Sequence, residues 1–76
     1  MNTAIERRVG QNIRALREKA GLTQETLAAQ MQVRGCDVTR SALAKIEVGQ
    51  RHLYPDEIIV IRALLGVSYE ELLAIS

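Results

Sequence analysis

TQETLAAQMQVRGCDVTRSALAKIEVG, residues 23–49, is the stretch on which the reading of the whole chain turns. Thr23 precedes a run in which Leu27, Ala28 and Met31 recur at helical spacing. Its hydroxyl suits a capping position, where it accepts from an amide exposed in the first turn. From Gln32 to Val38 the periodicity dissolves, and Val33-Arg34-Gly35-Cys36-Asp37 reads as a loop. Thr39 then caps a second run, with Ala42, Leu43 and Ile46 facing inward and Gly49 closing it. Arg40, Ser41, Ala44, Lys45 and Val48 are left mostly outside. Two short helices joined by a turn follow from this pattern.

On the amino-terminal side, Ile5, Val9, Ile13, Leu16 and Ala20 recur at steps of three and four, one stripe of an amphipathic helix. Thr3 is its expected cap and Gly21 its expected end. Arg7, Arg8, Gln11, Arg14 and Glu18 fall on the wet side. On the carboxyl side, Gln50-Arg51-His52 is a polar link, and Pro55 suits the first turn of a fourth helix. Asp56 and Glu57 complement the positive end of that helix dipole, and Gly66 stops it. Ser68 with Glu71 three residues on is a capping box, opening a fifth helix expected to run to the end. No strand pattern, repeat or low-complexity tract is present. The expectation is one compact all-α domain of five helices over residues 1–76.

Composition narrows the function. The chain has 76 residues, 47% of them hydrophobic, with no Phe or Trp, so the core is built from aliphatic side chains. Cys36 is the sole cysteine; an internal disulfide is impossible, the ligand cluster of a zinc site is missing, and an inert small side chain is expected rather than a redox sensor. No metal or other cofactor is implied. No segment reaches the length of about 20 apolar residues that spans a bilayer. The stretch MNTAIERR lacks the apolar run of a secretory signal, so cytoplasmic residence is expected.

An enzyme is disfavoured. His52 stands in a polar link with nothing in the sequence to pair it with Cys36, and the acidic pairs Asp56-Glu57 and Glu70-Glu71 are better read as helix starts. Net charge is only +1, but it is unevenly spread. Through Leu53 there are nine Lys or Arg against five acids, +4; from Tyr54 there is Arg62 against four acids, −3. That asymmetry suits a domain with one face toward phosphates, and a partner-binding module nearly as well.

Asn12-Ile13-Arg14-Ala15-Leu16-Arg17-Glu18 and Gly21-Leu22-Thr23-Gln24-Glu25-Thr26-Leu27-Ala28 resemble the opening of the Cro and phage-repressor-like (XRE) family. Ser41-Ala42-Leu43-Ala44-Lys45-Ile46-Glu47-Val48-Gly49 resembles its third helix. Ala63-Leu64-Leu65-Gly66-Val67-Ser68 with Glu71-Leu72-Leu73 resembles its ending. The resemblance implies a phage-repressor-type domain in which helices two and three form a helix-turn-helix and the third helix enters the major groove of double-stranded DNA. Carried over by position, it makes Arg40, Ser41 and Lys45 the base-contact candidates, and Gln24, Arg34, Gln50 and Arg51 the phosphate-contact candidates. Arg17 and Glu47 match positions that form an internal ion pair. Independently, Arg40 is the side chain best suited to guanine, and a lysine at position 45 can reach phosphate; a merely solvated helix face is the plain alternative.

The turn between helices two and three departs from the family pattern, being about five residues longer. It is either a passive bulge, since lengthening a loop costs little, or a segment that tilts the third helix and brings Arg34 to the backbone. Helix four is apolar nearly all round, which fits either a central core element or a twofold dimer formed through helices four and five. The functional expectation is a small repressor-like transcriptional regulator; the rival is a protein-interaction or antitoxin-like module on the same fold.

Overall fold

The computed structural model describes residues 3–75 and arranges them as α1 (Thr3–Lys19), α2 (Gln24–Val33), α3 (Arg40–Glu47), α4 (Pro55–Leu65) and α5 (Tyr69–Leu73). The starts of three of these helices are set by hydroxyl caps. Thr23 Oγ1 accepts from the Thr26 amide at 3.0 Å, and Thr39 Oγ1 from the Ala42 amide at 3.1 Å. Ser68 Oγ accepts from the Glu71 amide at 3.0 Å, while the Glu71 carboxylate accepts from the Ser68 amide, completing the capping box.

One device ends α1, α2, α3 and α4. The amides of Leu22, Cys36, Gln50 and Val67 donate to the carbonyls of Arg17, Met31, Lys45 and Arg62, five residues back, around Gly21, Gly35, Gly49 and Gly66 at positive φ. This is the Schellman closure, and the left-handed residue at its corner is why glycine stands there. Gly35 therefore terminates α2 rather than merely loosening a loop. The residue after it, Cys36, is buried in the same core cluster as Met31, the residue with which this closure favours a hydrophobic pairing. Val38 is buried two residues later, so the lengthened turn sends two side chains into the core.

The enclosed core comprises Ile13 from α1, Leu27 and Met31 from α2, Val38, Leu43 and Ile46 around α3, Ile61 from α4 and Leu72 from α5. α4 buries Ile61 fully and Ile58, Val60, Leu64 and Leu65 in part, leaving Ile59 exposed. Three expectations need correction. Thr3 is already helical and does not cap α1; Ile5 and Ala20, the ends of the expected stripe, are exposed, Ala20 lying just past the last residue of α1. The fifth helix does not run to the end: it stops at Leu73, Ala74 is extended, and Ser76 lies outside the described residues. Asn12 explains the stop, its Nδ2 donating to the carbonyls of Leu72 at 3.1 Å and Ala74 at 2.6 Å, which a further helical turn would otherwise have engaged.

α1 and α3 cross closely at Gly10. A Cβ added there would run into the main-chain carbonyls of Ile46 and Glu47, so the two backbones touch where any side chain would hold them apart. In an unhindered helix interior, Gly→Ala gains about 1 kcal/mol. Here Gly10→Ala is expected to lose about 1–3 kcal/mol through forced backbone shifts. A urea denaturation midpoint below that of the parent is the expected result; an unchanged or raised midpoint contradicts the close crossing.

Candidate nucleic-acid interface

α3 has only eight residues, too few to persist alone, so its position is entirely tertiary. Its inner side is Leu43, Ile46 and Glu47, all buried. Its outer side carries Arg40, Ser41 and Lys45, all exposed, with Ala44 half-buried among them. The short Ser41 and Ala44 side chains keep that face low, so a partner surface can approach the helix backbone closely.

The inner side is locked by a charged network. Arg17 Nε donates to Glu47 Oε2 at 2.7 Å and Arg17 Nη2 to Glu47 Oε1 at 3.1 Å. Arg17 Nη1 donates to the Leu22 carbonyl at 2.8 Å, and Gln24 Nε2 to Glu47 Oε1 at 2.9 Å. The two charged side chains are only 9% and 1% exposed, so the pair is sheltered from solvent screening. The hydrogen bonds that Arg17 donates to Glu47 raise its guanidinium above its ordinary value against the opposing effect of burial. One network thus ties α1, the α1–α2 link, the first residue of α2 and the last residue of α3.

A second bidentate pair governs the chain beyond α3. Arg51 Nη1 and Nη2 donate to Glu57 Oε1 and Oε2 at 2.9 and 3.0 Å, and the Tyr54 amide donates to Glu57 Oε1 at 3.1 Å. Burial of Glu57 disfavours its charge, yet the hydrogen bonds from Arg51 and the Tyr54 amide hold its carboxyl below the usual glutamate range. Arg51 also donates to the His52 carbonyl and lies 5.7 Å from the Tyr54 ring centroid. His52 Nδ1 sits 2.8 Å from Glu6 Oε2, joining the link back to α1. Burial raises the Cys36 thiol, with the Asp56 and Glu57 charges adding to the effect, so it is a packed side chain rather than a ready nucleophile.

The residues singled out from the sequence therefore separate spatially. Gln24 and Arg40 stand on the walls of one polar cleft of about 680 Å³, with Arg14, Thr23, Glu18 and Glu25. Lys45 lies further along α3, and Gln50 is exposed just past it. Arg34 is exposed at the opposite end of α2 from Gln24. Arg51 is turned inward onto Glu57. The sequence does not reveal the contacts of Gly10, Asn12 and Glu57; the signal for Glu57 was its place three residues after Tyr54, where a side chain reaches back to the cap amide.

A small five-helix core carrying an outward-facing α3 behind a capped α2 defines a helix-turn-helix domain. The helix-turn-helix family model matches residues 13–72, and the chain belongs to this DNA-binding, XRE-type family. The crystal structure of the DNA-binding domain of BldD is similar to it in fold, with a TM-score of 0.80 at 23% identity over 96% of this chain and 99% of that one. No curated protein matches the sequence.

Two outcomes follow from the charged pairs. Glu47→Gln or Arg17→Met alone is expected to cost about 3–5 kcal/mol by stranding a buried charge, and the double variant less than the sum of the two; additive losses in a double-mutant cycle would mean that the pair is not coupled. For Glu57, the unfolded carboxyl binds more protons than the folded one below about pH 5, so the stability it contributes is present above that range and is lost as pH falls through the lowered folded value. The unfolding free energy of the parent should therefore drop more steeply from about pH 5 to pH 3 than that of Glu57→Gln; parallel pH profiles would contradict the assignment.

Proposed function

We propose that this chain, a single domain over residues 1–76, is a cytoplasmic, repressor-like transcriptional regulator that binds double-stranded DNA sequence-specifically through α3 in the major groove. The observation that carries the reading is the pairing of a rigid inner side with a low, cationic outer side on the same helix: Glu47 is locked by Arg17 and Gln24, while Arg40, Ser41 and Lys45 are exposed. Arg40 at the start of α3 reads a base edge, with guanine O6 and N7 as the best-matched acceptors. Ser41 admits close approach, and Lys45 reaches a base edge or a nearby phosphate. Gln24 and Gln50 contact backbone at the two sides of α3, and Arg34 does so from the lengthened turn. Arg51 reaches phosphate only by releasing Glu57, so we assign it chiefly to holding the link after α3.

A twofold dimer fits this reading. The protomer measures 30 × 21 × 19 Å, and two copies paired through α4 and α5 would set their third helices about one DNA turn, roughly 34 Å, apart. Ile59 on α4, Tyr69 and Leu73 on α5, and Ile75 just past it are the exposed apolar side chains offered to such an interface. No helix among the described residues is long and apolar enough to cross a membrane.

Selection from a random duplex pool should return a defined sequence whose binding weakens linearly with salt on a log–log plot. Arg40→Ala should lose about 1–3 kcal/mol of discrimination at one base position and leave the other positions selected as before. Absent or salt-insensitive binding to duplex DNA would favour the protein-interaction reading instead.

A further inference from the structure

α1 meets α3 along one row of its own surface: Arg7, Gly10, Arg14 and Arg17, spaced three, four and three residues apart and so on one side of the helix. Two members are pinned, Gly10 beneath the carbonyls of Ile46 and Glu47 and Arg17 on the Glu47 carboxylate. The other two, Arg7 and Arg14, are exposed. Arg7 lies beside the carboxyl end of α3: a Cβ placed on Gly49 would come within 2.9 Å of the Arg7 Cα. Arg14 lies toward the amino end, sharing the wall of the polar cleft with Gln24 and Arg40.

The electrostatics of these two differ from those of Arg17 and Arg51, whose charges are met by buried Glu47 and Glu57. Arg7 enters none of the ion pairs among the described residues. Arg14 has only Glu18, 3.7 Å away with both side chains more than half exposed, an arrangement that contributes little and yields readily to a stronger anion. The helix between them therefore brackets α3 with a cation at each end, outside the helix-turn-helix segment itself.

We propose that α1 is part of the DNA interface, Arg7 and Arg14 each neutralising a backbone phosphate at the borders of the groove that α3 enters. The assignment rests on the DNA-binding reading above and extends it to a helix that the motif does not include. Arg8 provides the internal control. It too is exposed and outside every ion pair among the described residues, but it is turned about 100° round α1 from Arg7.

The test is the salt dependence of binding to a selected duplex, measured for the intact chain and for Arg7→Gln, Arg14→Gln and Arg8→Gln, with circular dichroism melts verifying that each is folded. Arg7→Gln and Arg14→Gln should each reduce the log–log slope by about 0.9 while the selected sequence stays the same. Arg8→Gln should leave the slope unchanged. Slopes for Arg7→Gln and Arg14→Gln that match Arg8→Gln, with the parent binding normally, overturn the α1 assignment alone. A parent that shows no salt-dependent duplex binding overturns the assignment together with the reading on which it rests.

Discussion

The bidentate contact between Arg17 and Glu47 is the constraint on which the rest of the structure depends. An eight-residue helix has no stability of its own, and the aliphatic anchors Leu43 and Ile46 would tolerate sliding and rotation. A buried guanidinium facing a buried carboxylate would not, because any displacement leaves two charges desolvated and unpaired. The Leu22 carbonyl and the Gln24 amide take up the remaining hydrogen-bonding capacity, so the network is satisfied at its edges as well as its centre. Gly10 makes the geometry attainable by letting the backbones of α1 and α3 touch, about two helical turns along α1 from Arg17. The pair thus fixes the depth and rotation of α3, the quantities that decide which side chains it presents.

The same solution recurs at the exit from α3. Arg51 and Glu57 bridge from the link after α3 into the first turn of α4, and Glu57 simultaneously accepts from the Tyr54 amide to start that helix. These two pairs sort the positive charge of the amino-terminal portion. Two arginines are spent on internal order, whereas Arg7, Arg40 and Lys45 keep their charge at the surface around α3. A net charge of +1 for the whole chain conceals this division; what a polyanion would meet is the local arrangement.

The helices were legible because their signals are local. Thr23, Thr39, Pro55 and Ser68 mark starts through groups within a turn of themselves, and Gly21, Gly49 and Gly66 mark ends by conformation alone. What escaped depends on contacts remote in sequence. Asn12 resembles any polar residue on a helix until Leu72 and Ala74 come beside it, and its grip is what shortens α5. Asp56-Glu57 looks like a pair of solvated first-turn acids, and only the path of the link reveals that one of them is buried under Arg51. Gly35 carried the same signal as the other terminating glycines, but the absence of a helical stripe after Met31 hid it. Arg17 and Glu47, 30 residues apart, are invisible to periodicity and entered through the resemblance of their surroundings to a known family. On the outer face of α3, the sequence supplies residue types; how the lengthened turn seats that face is not written in any local pattern.

In the proposed mode of binding, α3 and the flank of α1 form one DNA-facing surface while α5 points away. The decisive measurement is amide chemical-shift mapping during titration with a selected duplex. The largest perturbations are expected at Arg40, Ser41, Lys45 and Gln24, with Arg7 and Arg14 following them and Tyr69 to Leu73 unmoved. Perturbations centred on α4 and α5, with α3 silent, would contradict that mode.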